Sequence, residues 1–277
     1  MKKKIAILLA TYNSSLFLEE QLDSLFNQNY LEWQLYIRDD GSKDNTQEII
    51  QVYKSRYDNI TIVDDGDSGV GALNSFMKLL KNVDADYYFF CDHDDIWERD
   101  KISKSLKLMI DIEKINPNKP IIVHTDLKVV DRQLNITSNS FWKSSGIKPK
   151  LLENERFIQV FNCVTGCTML LNKKSKDISF PYPTSAPMHD WWIAIQTLRC
   201  KGIIHHLNDS TILYRQHGGN EVGARSVNFN YFFNKIKTLK QTLHGHKVHI
   251  AFLKEIDGLN ALQYYYYKLI YTIVRKL

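Results

Sequence analysis

Apolar and polar positions in the first half of the chain switch repeatedly between a period of two and a period near 3.6. The six-residue run Ile5 to Ala10 reads as a buried strand. Behind it, Leu18, Leu22, Leu25 and Phe26 recur at helical spacing, with Asn13 or Ser14 as the cap. Trp33 to Ile37 is the next expected strand, closed by the turn Arg38-Asp39-Asp40-Gly41-Ser42, and Asp44 to Tyr57 the next helix. Ile60 to Val63, a loop from Gly66 to Gly71 and a helix from Ala72 to Leu80 repeat the unit. Tyr87 to Cys91 is then a fourth strand and Glu98 to Ile115 its helix. Strands that alternate with helices predict an α/β fold, a doubly wound, mostly parallel sheet flanked by helices.

The second half is more mixed. Ile121 to Val130, Cys163 to Leu171 and Ile203 to Tyr214 read as strands, Arg132 to Lys150 as a polar interruption and Met188 to Arg199 as a helix. From Asn228 the pattern is helical and aromatic, with Phe232, Ile236, Leu239 and Leu243 on one face. The chain therefore divides into an α/β unit over 1–225 and a helical C-terminal extension over 226–277.

Composition changes this picture in two places. The net charge is +5, and residues 227–277 hold 8 Lys/Arg against 2 Asp/Glu, so the basic character belongs to the extension. That asymmetry favours an anionic partner there, a phospholipid surface or lipid diphosphate before nucleic acid, for which no recognisable module is present. The extension could equally pack on the α/β unit or on a second subunit. The opening Lys2-Lys3-Lys4 before Ile5 imitates a signal peptide, but the apolar run is short and Thr11-Tyr12-Asn13 offers no cleavage site. No segment reaches the roughly 18 apolar residues of a membrane span. The four cysteines, Cys91, Cys163, Cys167 and Cys200, lack zinc spacing and read as reduced thiols in a cytoplasmic protein.

The chemistry concentrates in Cys91-Asp92-His93-Asp94-Asp95-Ile96-Trp97, three carboxylates within four residues at the exit of a buried strand. Carboxylates that close repel unless a proton or cation intervenes. Oxygen ligands at the carboxyl edge of a sheet suit Mn2+ or Mg2+, which completes its shell with water and substrate phosphates and so points to a nucleotide diphosphate. Capping of the following helix by Asp94 or Asp95 is the competing explanation.

Three blocks, Ala10-Thr11-Tyr12-Asn13, Asp39-Asp40-Gly41-Ser42 and Asp92-His93-Asp94-Asp95, follow the first, second and fourth strands. Together with Gly166-Cys167-Thr168, His189-Asp190-Trp191-Trp192 and Tyr214-Arg215-Gln216-His217-Gly218-Gly219-Asn220, they resemble the inverting family 2 glycosyltransferases of GT-A fold. The likeness covers about residues 5 to 220 and is nearest to bacterial capsule, O-antigen and rhamnan enzymes, rhamnosyltransferases among them. It implies a nucleotide site at Thr11, Tyr12, Asn13, Asp40 and Asp92, with Asp40 accepting the ring N–H of uracil or thymine. It also implies a metal held by Asp94, with Asp95 and His217 as further candidates. Asp190 is the candidate general base, a carboxylate at a helix start that can take the proton of an attacking acceptor hydroxyl; helix capping is its competing role. Gly166, Trp191, Arg215 and Arg225 are candidate diphosphate or sugar contacts.

The resemblance implies transfer of one sugar from a UDP- or dTDP-linked donor, dTDP-rhamnose or a UDP-hexose, to a saccharide or polyprenyl-diphosphate-linked acceptor. The site would lie in the cytoplasm or at the inner face of the plasma membrane, with the C-terminal helices as a membrane or homo-oligomer contact. The Q-x-x-R-W block and multiple spans of processive synthases are missing, which favours single-sugar transfer. His189 stands where many relatives have Glu. A nucleotidyltransferase would need a glycine-rich basic loop where Thr11 to Ser15 stand. A non-catalytic nucleotide-sugar-binding or scaffold module is the alternative from a different class.

Overall fold

The computed structural model describes residues 3–217 and 239–276. β1 (Ile5–Thr11), α1 (Leu18–Phe26), β2 (Gln34–Asp39), α2 (Thr46–Arg56), β3 (Ile60–Ile62), α3 (Gly71–Asn82) and β4 (Tyr87–Cys91) follow one another as the alternating pattern predicts. β5 (Ile96–Trp97), α4 (Lys101–Ile115), β6 (Ile121–Val130), β7 (Ile136–Ser138), α5 (Phe141–Ser145) and α6 (Pro149–Leu152) come next. The remainder is β8 (Leu170–Asn172), α7 (Lys173–Asp177), α8 (His189–Arg199), β9 (Ile203–Arg215), α9 (Leu239–Glu255) and α10 (Ala261–Val274). The strands form one sheet in the order β3-β2-β1-β4-β8-β6-β9-β5, with β7 added beside β6.

β1 is parallel to β2 and to β4, in a register that sets Thr11 beside Asp39 and Leu9 beside Cys91. Three chain segments therefore leave the sheet side by side at one carboxyl edge, where parallel sheets take their ligands. Side chains alternate across each strand. Ile7, Leu9, Leu35, Ile37 and Phe89 face one core with Leu22 and Leu25, while Ala6, Leu8, Tyr88 and Phe90 face the other with Phe76 and Ile193. At about 1.5–3 kcal/mol for each fully buried large side chain, these two layers hold the edge rigid.

Four expectations are corrected. Cys163 to Leu171 is not a strand: it forms a 3-10 turn at Gly166–Thr168 and only then enters β8. Local side-chain bonds compete with sheet pairing there: the Val164 N–H donates to Asn162 Oδ1, and the Thr168 hydroxyl donates to the Thr165 carbonyl oxygen. Neither Asn13 nor Ser14 caps α1; Asn13 sits at φ 47 and its Oδ1 accepts the Lys43 N–H, while Phe17 precedes the helix. Neither Asp94 nor Asp95 caps α4, which starts at Lys101 behind Asp100. The polar stretch from Arg132 to Lys150 is structured, because Asp126 accepts the N–H of Trp142 and the Ser140 hydroxyl, and Ser140 caps α5.

The C-terminal helices close over the same face as α3 and α8. Asn260 and Gln263 form a capping box at the start of α10. Phe252, Leu253, Leu259, Tyr264 and Tyr271 are buried in the core cluster that holds Phe76 and Trp192. Tyr271 accepts the Lys148 N–H and Tyr267 accepts a bond from Arg156. Of the expected apolar face, Phe232 and Ile236 lie outside the described residues, and Leu243 is 45% exposed. Among the described residues no helix is long and apolar enough to cross a membrane.

Candidate active site

At the end of β1, Thr11 is buried and its hydroxyl donates to Asp39 Oδ1 at 2.9 Å, while Tyr12 is 52% exposed and stands at the rim. Asp39, absent from the expected site, also accepts bonds from Ser42 and Gln47. Burial pushes its carboxyl up, but these donors outweigh it and hold it below the usual range. Asp40 turns inward. Its Oδ1 accepts Arg38 at 2.8 Å and the Val70 N–H, and its Oδ2 accepts the Gly71 N–H at 2.8 Å. Burial raises this carboxyl too, and Arg38 with the two backbone donors lowers it by more.

Arg38 is the residue that the sequence hid. It is 1% exposed, forms a two-bond fork with Asp65 at 3.1 Å and donates to Ser75, so an arginine near the end of β2 ties that strand, α3 and the loop before α3 together. Asp40 thus anchors the loop that closes one side of the nucleotide region.

After β4 the acidic block splits by depth. Asp94 Oδ2 lies 2.7 Å from His217 Nε2, two groups 123 residues apart in sequence, and the imidazole packs on Phe17 at 4.7 Å. Asp95 is fully buried; its Oδ1 accepts the Arg215 N–H and its Oδ2 has no hydrogen-bond partner. Burial, then the Asp94 and Asp92 carboxylates, push it well above the usual range. Asp92, Asp95 and Cys167 also offer ligand atoms within 4.8 Å of one another. Burial raises the Cys167 thiol well up, so it stays protonated and is a poor ligand for a hard cation. Of the expected metal ligands, Asp94 and His217 are the two that meet, and a carboxylate oxygen beside an imidazole nitrogen is a donor pair that Mn2+ accepts.

Arg215, a candidate diphosphate contact, is buried and committed within the protein. It donates to the carbonyl oxygens of Asp94 and Arg132 and pairs with Glu20, so it holds the Asp94 loop. Arg225 lies outside the described residues. Lys101 is a further buried charge with no hydrogen-bond partner, over the rings of Trp97 and Phe89 at 4.8 and 5.5 Å. Burial pushes it down to about 8.

Asp190 lies in the first turn of α8. Its Oδ2 accepts the Gly166 N–H at 2.8 Å and its Oδ1 the N–H of Trp191. The carboxyl is 8% exposed, and burial pushes it up to about 7. His189 beside it is buried between Phe76 and Phe90, with neither ring nitrogen bonded, and burial pushes it down to about 3. Trp191, a candidate sugar platform, is instead stacked on His249 of α9 at 4.4 Å and donates to the Ile158 carbonyl. Trp192 is core.

Gly166 joins the two halves of the site: its amide holds Asp190, and the next residue, Cys167, touches the acidic block. A Cβ at Gly166 would lie 2.7 Å from His189 Nε2. Gly166→Ala is expected to displace the His189-Asp190 pair and to lower turnover about 10-fold or more with little change in nucleotide affinity. Unchanged turnover in a steady-state assay would show that the close approach is irrelevant.

The sheet order, with the acidic block at its carboxyl edge, is that of the GT-A glycosyltransferase fold. The description Glycosyl transferase family 2 matches residues 6–179, and the chain belongs to that family. It is similar to the dTDP-rhamnosyl transferase RfbG of Shigella flexneri, 27% identical over 258 residues, which span 87% of this chain and 82% of that one. It is also similar to WfgD of Escherichia coli, a UDP-Glc:alpha-D-GlcNAc-diphosphoundecaprenol beta-1,3-glucosyltransferase, at 28% identity over 148 residues. That match covers 52% of this chain and little more than half, 56%, of the relative. Among solved structures, the mannosyltransferase PcManGT of Pyrobaculum calidifontis in complex with GDP-Man and Mn2+ superposes with a TM-score of 0.63 at 15% identity. The superposition covers 95% of this chain and 67% of that one. The resemblance read from the sequence blocks is borne out at the level of family and fold.

Proposed function

We propose that the chain is a non-processive, inverting hexosyltransferase that moves one sugar from a UDP- or dTDP-linked donor, dTDP-rhamnose or a UDP-hexose. The acceptor is a saccharide or a lipid-linked saccharide of bacterial surface polysaccharide. The reading rests on one observation above others: the Gly166-Cys167 turn couples a buried carboxylate raised to about 7 to the acidic block at the sheet edge. A group poised near neutrality can accept the acceptor hydroxyl's proton, and a cation held by Asp94 and His217 would neutralise the donor diphosphate. Mn2+ or Mg2+ would supply that charge; Thr11, Tyr12 and Asp40 would bound the base and ribose region. One base and one displacement leave no covalent intermediate, so the anomeric configuration inverts. The names of RfbG and WfgD support a pyrimidine nucleotide donor, and the name of PcManGT supports Mn2+. The catalytic unit is residues 1–225, working at the inner membrane face with its helical extension alongside.

A donor screen tests this reading. With UDP-, dTDP- and GDP-linked sugars and Mn2+, mass spectrometry is expected to detect slow hydrolysis of one pyrimidine donor without acceptor, and transfer with one. Consumption of GDP sugars alone would reject the pyrimidine assignment. No turnover with any donor or acceptor, despite nucleotide binding, would favour the non-catalytic module.

A further inference from the structure

A cavity lies away from the acidic block. It has a volume of about 740 Å3 and opens between the α5 turn, the β6–β9 pair and the end of α10. Lys143, Lys148, Arg275 and Lys276 line it, with Trp142 as a buried wall. Two carboxylates line it as well, and both are already engaged. Asp126 accepts the N–H groups of Leu127 and Trp142 and the Ser140 hydroxyl, and Asp209 is paired with Lys104. Lys143 and Lys148 have no carboxylate within ion-pair distance among the described residues, so the cavity presents an excess of positive charge. Gly146, at φ 62, lets the two walls meet: a Cβ there would lie 3.3 Å from the Arg275 carbonyl oxygen.

An apolar track runs into this cavity. Leu262, Tyr266, Leu269 and Ile273 follow one another at spacings of four, three and four along α10, and they are 83%, 59%, 62% and 54% exposed. The opposite face of the same helix is buried through Tyr264 and Tyr271. An amphipathic helix needs one apolar face, and α10 has two. The exposed one spans roughly 16 Å from Leu262 to Ile273 and ends where Arg275 and Lys276 begin the cationic lining.

We propose that this cavity binds the phosphate or diphosphate group of an amphipathic acceptor whose hydrocarbon chain lies on the exposed face of α10. Charge selects the head and the apolar track selects the tail; neither feature alone specifies such a ligand. The position suits an acceptor. Ser210 at the cavity is paired with Asp126, and β9 runs five residues on to Arg215 at the metal loop, about 16 Å away. That distance leaves room for a saccharide between the bound anion and the reacting hydroxyl. The word acceptor rests on the transferase reading, whereas binding of the anion does not.

The test is calorimetry on the full chain in EDTA, which silences metal-dependent donor binding, with dodecyl diphosphate and inorganic pyrophosphate as probes. Dodecyl diphosphate is expected to bind at least about 10-fold more tightly than pyrophosphate, from burial of its chain. Lys143→Ala with Lys148→Ala is expected to weaken both probes about 10-fold or more, through loss of charge-assisted contacts. Leu269→Ser with Ile273→Ser should erase the difference between the probes. All four side chains are exposed, and UDP or dTDP binding in Mn2+ should be unchanged in every variant, which reports an intact fold. Wild-type affinity in the lysine variant, displacement of the probe by UDP in EDTA, or equal binding of the two probes would overturn the inference. If the probes bind as expected and the donor screen finds no turnover, the transferase reading has failed and the binding site stands. If transfer to a lipid-linked acceptor proceeds with the same KM in the lysine variant, the inference alone has failed.

Discussion

Asp190→Asn is expected to lower sugar transfer about 10²- to 10⁴-fold at saturating donor and acceptor, with nucleotide affinity unchanged. The substitution is not silent for stability. Both carboxylate oxygens accept backbone N–H groups, from Gly166 and Trp191, and an amide can offer an oxygen to only one of them. The other N–H then faces an NH2 group, at a cost of about 1–3 kcal/mol.

The pH dependence follows from the raised carboxyl. Chemistry needs the ionised form, so turnover should climb through an apparent value near the carboxyl's own, about 7. Folding stability should run the other way. Between the ordinary carboxylate value and about 7 the native chain keeps a proton that the unfolded chain has lost, so this group's contribution falls as pH rises across that window. Below the window the contribution is intact, and the Asn variant should lack the slope. A pH–rate profile and urea unfolding between pH 4 and 8 measure both, and NMR of the product should show an inverted anomeric centre. Near-wild-type transfer by Asp190→Asn would move the base elsewhere, with Asp95 and His189 next to test. Loss of donor affinity together with early unfolding would mean that Asp190 serves as a helix-start anchor instead.

EDTA or Asp94→Ala is expected to weaken UDP or dTDP binding by more than about 100-fold, and His217→Ala by about 10-fold. Without a cation, Asp92 and Asp94 repel the donor diphosphate; removing Asp94 also removes the oxygen that faces His217 at 2.7 Å. Calorimetry with and without Mn2+ reads both effects. Equal affinity in the two conditions would dismiss the metal, and a His217→Ala variant that binds Mn2+ like wild type would restrict the ligands to carboxylates. Mn2+ affinity measured without nucleotide separates a lost metal ligand from a lost nucleotide contact.

Much of the fold was legible because its signals are local. Tyr87 to Cys91 and Ile121 to Val130 were read with the boundaries of β4 and β6, since a continuous apolar run bounded by polar residues leaves a buried strand little freedom. Cys163 to Leu171 was misread for the complementary reason. It is as apolar as a strand, but Gly166 is drawn to Asp190 and the segment folds back in a turn, a competition that periodicity does not register.

The amino-acid sequence by itself determined the alternating α/β order, the family blocks and the clustering of carboxylates after β4, because each depends on neighbours within a few residues. Only the tertiary structure decided what each carboxylate meets. Asp94 and Asp95 are adjacent, yet one meets His217 and the other is buried under Arg215, a distinction created by β9 arriving from more than a hundred residues away. It also decided that Arg38 is a buried knot, that Trp191 is covered by α9, and that α10 keeps one apolar face in solvent. Charge state and accessibility depend on what packs against a side chain, and long-range packing leaves no periodic trace in the sequence.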